Sequence, residues 1–131
     1  MALIEYDEYK QRLRDLGPEL EKLSAALDMD SARAEAQKLE DETAQDGFWN
    51  DLERSQKVQQ RLKQLQNKIT RQDKLVAEWQ DLTALCEMGQ EADDAELLDE
   101  LKAGFQTLEE KIEESRMATL LSGEYDSHSA I

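Results

Sequence analysis

Apolar residues recur in the first 27 positions at alternating spacings of three and four. This spacing places them on one stripe of an α-helix, because a helical turn contains about 3.6 residues. Such a stripe avoids water only by packing against another apolar surface. The sequence therefore predicts a helix that packs along its length against other helices. The stripe consists of Tyr6, Tyr9, Leu13, Leu16, Leu20, Leu23 and Leu27.

The pair Gly17-Pro18 interrupts this first helical run. Proline in a helix interior removes a backbone hydrogen bond and crowds the preceding turn, at a cost of about 3 kcal/mol. We therefore expect a kink or a brief break at this pair.

A second, shorter helix is predicted from about Asp30 to Ala44, and Asp28 or Asp30 would cap its start. Its inner face carries small or short side chains, which permit close packing. These residues are Ala32, Ala36, Leu39 and Thr43.

The third helix is predicted to be the longest. It starts at the cap candidate Asn50, with Glu53 three residues later in a spacing that resembles a capping box, and it extends to about Met88. At about 1.5 Å per residue it would span on the order of 60 Å, which predicts an elongated domain. Its coiled-coil seam comprises Val58, Leu62, Leu65, Ile69, Val76 and Trp79, with Gln72 and Thr83 as polar interruptions.

A fourth helix completes the predicted architecture. Gly89 suits a C-cap of the third helix, and Asp93 with Glu96 would open the fourth. A short connection makes these two helices antiparallel neighbours. The seam of the fourth helix comprises Leu97, Leu101, Phe105, Leu108 and Ile112.

The predicted fold class is all-α. We expect an elongated antiparallel helical bundle or coiled coil of three to four helices, the longest covering about residues 50–88. The chain has 131 residues, one proline and 5% aromatic residues, which favours helices and a single domain with one core. We expect the helical domain to cover residues 1–121 and the polar segment 122–131 to be a linker toward a further domain.

Charge is distributed unevenly along the chain, whose net charge is −15. The net charge is −7 over residues 1–47, +1 over 48–90 and −9 over 91–131. Phosphates would be repelled by most of this surface, so general nucleic-acid binding is disfavoured. Between Arg54 and Gln72, however, every charged residue is basic.

The basic stripe, defined as Lys57, Arg61, Lys68 and Arg71, lies next to the apolar seam of the third helix. Charges beside a coiled-coil seam usually pair across it, which favours ion pairs with acidic residues of neighbouring helices. A contact with ribosomal RNA is the functional alternative. Examples of such acidic residues are Glu109, Glu110, Glu113 and Glu114.

Four other side chains are candidates for a special role. Trp49 is predicted to be an inward-facing anchor at a helix entry, with an exposed partner hot spot as the alternative. Trp79 is predicted to belong to the core. Cys86 is interpreted as a small buried residue rather than a nucleophile, and His128 has no evident partner in a polar tail.

No cofactor, metal or catalytic residue is predicted. The acidic pairs of the fourth helix have the i, i+4 spacing of possible cation ligands, but no Glu-x-x-His motif accompanies them, so a solvated face is the better interpretation. The five glycines are too far apart for a phosphate-binding loop. No secretory or membrane-spanning segment is indicated, and we expect a cytoplasmic protein.

Two short motifs resemble a known family. Phe48-Trp49-Asn50-Asp51, followed by Ser55-Gln56, and the exit Ser122-Gly123-Glu124-Tyr125-Asp126 resemble the amino-terminal helical domain of bacterial peptide chain release factors of the factor 2 type. The resemblance covers nearly the whole chain. The Gly-Gly-Gln loop that triggers peptidyl-tRNA hydrolysis and the Ser-Pro-Phe loop that reads stop codons in that family do not occur in this sequence.

The resemblance implies a domain of a translation termination factor, whose intact form releases peptides at UAA and UGA codons. The domain itself would dock on the ribosome, near the stalk-base protein of the GTPase-associated centre, and possible contact with the GTPase release factor is implied as well. It would not be an enzyme on its own. If only the apolar seams of the helices are considered, the alternative is a free-standing structural coiled coil that self-associates.

Overall fold

The computed structural model describes residues 2–121, with side chains from Leu3 onward. Four α-helices and one turn of 3-10 helix, Phe48–Asn50, account for nearly all of them, and this range contains no strand. The predicted all-α helical bundle is confirmed. The expected linker at 122–131, including His128, lies outside the described residues. The helices are α1 (Ala2–Ala26), α2 (Met29–Thr43), α3 (Leu52–Ala92) and α4 (Ala95–Leu121).

The chain forms two compact units, and α3 contributes to both. The hairpin unit is residues 28–73. Among the described residues, the three-helix unit combines residues 2–27 with residues 74–121. Each unit has its own cluster of buried apolar side chains. The expectation of a single core is therefore wrong, because the small side chains of α2 form a separate core with α3.

The predicted stripes of α1 and α4 build the core of the three-helix unit together with α3, whose predicted seam contributes only Trp79 to it. α4 is antiparallel to α3, as predicted, with Lys111 Nζ 2.8 Å from Glu78 Oε1 and Gly104 facing Leu82 near the connection. The core is formed by Tyr6, Leu13, Cys86, Leu98, Leu101 and Phe105, with Tyr9, Leu16, Trp79, Leu82 and Leu85 partly buried against them.

The seam of α4 begins one residue later than predicted. Leu98 is buried, whereas Leu97 is only half-buried. The remaining seam positions are confirmed, and the buried face continues to Ser115 and Thr119.

The core of the hairpin unit confirms the predicted inner face of α2. Ala32 and Ala36 are buried together with Leu65 of α3. Methyl side chains on α2 leave room for larger ones from α3, which contributes Leu62 and Ile69 beside Leu65. The bounds of α2 differ from the predicted ones by one residue at each end.

Helix α1 continues through Pro18 without interruption, so a break there is wrong, whereas a kink at this pair stays a prediction. Proline leaves the carbonyl of Arg14 without its usual helical donor. One residue earlier, the carbonyl of Leu13 accepts a 2.6 Å hydrogen bond from Nε1 of Trp79. The same indole packs on Gly17, where a Cβ would lie 3.2 Å from Trp79 Cζ2. Packing against Trp79 thus supports the helix where its own ladder is weakest.

Aspartates cap α3 and α4, although each cap lies one residue after the predicted one. Asp51, not Asn50, caps α3, since its Oδ1 accepts the N–H of Arg54 at 3.1 Å. Asp94, not Asp93, caps α4, since its Oδ1 accepts two backbone N–H groups at 2.8 and 3.2 Å.

The start of α2 differs from the predicted cap. Asp28 occupies the N-cap position, but its backbone is left-handed (φ 52°) and its side chain makes no capping hydrogen bond. The side chain of this residue therefore does not satisfy the first N–H groups of α2.

Helix α3 does not end at Gly89 but at Ala92, beyond the predicted end at Met88. The reversal is made by Asp93, whose φ is 50°. The N–H of Asp94 bonds to the carbonyl of Gly89 at 3.1 Å, a Schellman-type closure of the helix. The predicted role of Gly89 as a C-cap is wrong, because this glycine is a site of close helix packing.

Tyr6 of α1 fills the space that a side chain at position 89 would occupy. A Cβ on Gly89 would lie 2.6 Å from Tyr6 Cε1, and the tyrosine is held in place because its hydroxyl donates to the carbonyl of Asp94. We expect Gly89→Ala to lower the free energy of unfolding by about 1–3 kcal/mol, as overpacking does, despite the better helix propensity of alanine.

Urea unfolding followed by circular dichroism measures this effect. Gly104→Ala is the matched control, since its new methyl group meets only the end of the flexible Leu82 side chain at 2.6 Å. The control is expected to cost less than Gly89→Ala. Equal stability of the two variants would contradict the assigned role of Gly89.

Candidate functional site

The most distinctive surface of the hairpin unit is the aromatic turn, defined as residues 47–52 between α2 and α3. Gly47 begins it with φ 82°, a backbone conformation that side chains disfavour. The N–H of Phe48 bonds to the carbonyl of Gln45 at 3.3 Å, and the N–H of Asn50 bonds to that of Gly47 at 3.1 Å. These bonds fix the backbone of the turn.

The two aromatic residues of the turn point in different directions. Phe48 is 2% exposed, whereas Trp49 is 58% exposed. Consecutive residues of a 3-10 turn project about 120° apart, so only one of the two can enter the core. The prediction that Trp49 is an inward anchor is therefore wrong, and Phe48 has that role. The Trp49 ring instead meets Phe48 edge to face, with centroids 5.0 Å apart.

Leu52 adds a second exposed apolar side chain to the turn, at 68% exposure. Leu52 was not among the candidate residues predicted from the sequence. The sequence nevertheless indicates its exposure. If the α3 seam is extended toward the amino terminus, it passes through Ser55 and position 51, so Leu52 is an apolar residue that lies off the buried face. Ser55 is indeed buried at 2% exposure, and its hydroxyl donates to the carbonyl of Leu52 at 2.9 Å. This bond fixes the first turn of α3.

Negative charge surrounds the aromatic turn. Residues 40–57 include six acidic and two basic side chains. Both basic residues face acids: Arg54 lies 3.9 Å from Glu42, and Lys57 lies 3.7 Å from Glu53. The Arg54 guanidinium also lies 5.7 Å from the centroid of the Phe48 ring. The exposed rim of the turn is therefore acidic overall.

One member of the basic stripe, Arg61, forms an ion pair with helix α2. Arg61 binds Glu35 through two hydrogen bonds of 2.8 and 2.9 Å, and these lower the pKa of the Glu35 carboxyl. Lys68 contributes to the same lowering through its charge. The predicted pairing with a neighbouring helix is thus confirmed for Arg61, whereas Lys57 faces Glu53 of its own helix. Pairing of the stripe with Glu109, Glu110, Glu113 or Glu114 stays a prediction.

The remaining candidates show no reactive arrangement. Cys86 is 1% exposed, and burial raises the pKa of its thiol, which disfavours the nucleophilic thiolate. Cys86 and Trp79 border a cavity of about 100 Å³, and the predicted place of Trp79 in the core is confirmed.

The described residues contain neither a metal-binding group nor a membrane-spanning helix. Among residues 2–121, no three His, Cys, Asp or Glu side chains form a metal-binding group, and no described helix is apolar and long enough to cross a membrane.

The Glu35–Arg61 pair gives a pH-dependent contribution to stability. The folded-state pKa of Glu35 is lowered from 4.5, so the contribution is present above the unfolded-state pKa and is lost as pH falls through the folded-state value. Both side chains are about half exposed, so Glu35→Gln is expected to cost at most about 1 kcal/mol at pH 7 and nothing at pH 2. Urea unfolding at both pH values measures the difference, and an equal cost at both would contradict this assignment.

The different burial of the two aromatic residues predicts different costs of truncation. Phe48→Ala is expected to lower the free energy of unfolding by about 3–5 kcal/mol, because it empties a buried site. Trp49→Ala removes an exposed ring and one aromatic contact, at an expected cost below about 1.5 kcal/mol. Thermal unfolding of both variants tests this, and a larger loss for Trp49→Ala would refute the assignment of Phe48 as the anchor.

Comparison with known proteins connects this fold to a family. The family model of the PCRF domain matches residues 32–131, which include the whole aromatic turn and α4. No solved structure shows significant similarity to the chain.

Curated relatives agree with this match and confirm the resemblance noted above. Peptide chain release factor 2 of Streptomyces avermitilis is 34% identical over 131 residues, covering 100% of this chain and 35% of the relative. The proteins of the same name from Acidothermus cellulolyticus and Clostridium perfringens are 36% and 31% identical, covering 92% and 98% of this chain and 33% and 35% of their own lengths. The chain thus spans about a third of these relatives, and it belongs to the PCRF domain family.

Proposed function

We propose that this chain is the amino-terminal docking domain of a translation termination factor. The observation that carries the proposal is the alignment with peptide chain release factor 2 of Streptomyces avermitilis, which covers 100% of this chain but only 35% of the relative. A domain of that size leaves the larger part of such a factor for codon reading and catalysis. Docking on the ribosome is the role that the family resemblance implies for this helical domain.

Catalysis by the chain alone is not part of the proposal. The sequence contains neither two adjacent glycines nor the Ser-Pro-Phe tripeptide. The Gly-Gly-Gln and Ser-Pro-Phe loops of the resembled family therefore have no counterpart in these 131 residues. In the intact factor, peptide release at UAA and UGA codons would depend on other domains.

The proposed partner is the ribosome in the cytoplasm, at the stalk-base protein of the GTPase-associated centre, and a contact with the GTPase release factor is included. A net charge of −15 favours basic ribosomal proteins over RNA as the direct contact. In the hairpin unit, Arg33, Arg54 and Arg61 are each paired with an acid. These pairs neutralise cations that would otherwise attract phosphate, which also supports a ribosomal protein rather than RNA as the direct contact.

Ribosome-dependent peptide release at a UGA codon tests the proposal. The chain alone is expected to release no peptide, and in excess it is expected to reduce release by an intact factor 2 through competition. Release by the chain alone would contradict its assignment as a non-catalytic domain.

Sedimentation of the purified chain tests the alternative of a self-associating coiled coil. A docking domain is expected to sediment as a monomer. A tight dimer together with no competition on the ribosome would favour the free-standing structural protein instead.

A further inference from the structure

We propose that the aromatic turn is the surface through which this chain binds its protein partner, and that the partner presents an apolar pocket bordered by basic side chains. The inference rests on the proposed docking function and assigns it to particular residues. Trp49 and Leu52 are 58% and 68% exposed, and both are large apolar side chains within four positions of each other. Their exposure costs free energy that a partner would recover by covering them.

Trp49 is held in a defined position before any partner arrives. Its ring meets the buried Phe48 ring at 87°, with centroids 5.0 Å apart. The backbone below it is fixed by the hydrogen bond from Asn50 to Gly47. A side chain that is already ordered loses little entropy on binding, and tryptophan is among the residues that most often dominate binding energy.

The first turn of α3 holds Leu52 equally firmly. The Asp51 cap and the Ser55 hydroxyl bond define the backbone on both sides of it. The two exposed side chains are thus carried by one rigid segment, which suits insertion into a preformed pocket rather than wrapping by a flexible loop.

The acidic side chains around the rim of the aromatic turn favour one class of binding partner over the others. Asp46, Asp51 and Glu53 are exposed beside the two apolar side chains, and the nearby cations Arg54 and Lys57 already face acids. Nucleic acid would be repelled by this rim, as would the same face of a second copy of the chain. A basic protein surface is the complementary partner, and its attraction would also accelerate association.

Binding of the chain to bacterial 70S ribosomes tests the inference. The chain carries a fluorescent label at its amino terminus, and its dissociation constant is measured by anisotropy. Trp49→Ala is expected to weaken binding at least about thirty-fold, as a central hot spot does, and Leu52→Ala by several-fold. Trp49→Phe is expected to retain part of the affinity.

The control variant is Met88→Ala, which removes an apolar side chain of similar exposure, 60%, from the three-helix unit. It is expected to bind as the unaltered chain does. Thermal unfolding of each variant checks that the helices remain folded, so that a loss of affinity reports the surface and not the stability of the domain.

A charge reversal separates a protein partner from RNA. Asp46→Lys is expected to weaken binding to ribosomes, because it places a positive charge against a basic pocket border. Stronger binding of this variant, or equal binding of the unaltered chain to protein-free ribosomal RNA, would show an RNA contact and overturn the inference.

The outcomes distinguish this inference from the proposed function. Ribosome binding that Trp49→Ala and Leu52→Ala leave unchanged would keep the docking function and refute the aromatic turn as its surface. No binding by the unaltered chain would refute both. A dimer that Trp49→Ala converts to a monomer would identify a second copy as the occupant and refute the basic partner.

Discussion

One buried tyrosine fixes the junction on which the three-helix unit depends. Tyr6 is 0% exposed, its ring occupies the gap over Gly89, and its hydroxyl donates to the carbonyl of Asp94, the residue that caps α4. Burial raises the pKa of this hydroxyl, so it stays protonated and remains a donor. A single side chain of α1 therefore contacts the last turns of α3 and the start of α4 together. The short reversal at Asp93 can hold its left-handed backbone because both flanking helices are fixed by this contact.

Apolar spacing predicted the helices well because it reports which faces must leave water, a requirement that holds along a whole helix. The ends were predicted less well. Asn50 and Asp51 are both good caps, as are Asp93 and Asp94, and the choice within each pair depends on where the neighbouring helix places the chain rather than on local preference. Gly89 was misinterpreted for a similar reason. A glycine near a helix end suggests a cap, and only a residue 83 positions away in sequence, Tyr6, shows that it provides space instead.

At the candidate site, too, features set by neighbouring residues could be predicted from the sequence, whereas features set by tertiary packing could not. The Phe48-Trp49 pair was recognisable as a helix entry, and the family resemblance followed from it. Which ring enters the core depends on the direction of the 3-10 turn after Gly47, and two adjacent aromatic residues do not encode that direction. The basic stripe was likewise visible as a run of like charges. Its partner on α2, Glu35 for Arg61, depends on how two helices align, and the sequence contains acidic candidates on every helix.

The ion pairs between α2 and α3 affect the net charge of the surface more than they affect the stability of the fold. Exposed pairs such as Arg61–Glu35 and Arg33–Asp73 contribute at most about 1 kcal/mol each. Each one nevertheless neutralises a cation that would otherwise attract phosphate. Because Arg54, Lys57 and Arg61 of α3 face acids in this way, the acidic excess around Trp49 is left without an equal positive charge. The acidic excess around Trp49 is thus a consequence of how the hairpin unit pairs its charges, and the proposal of a basic protein partner rests on this excess.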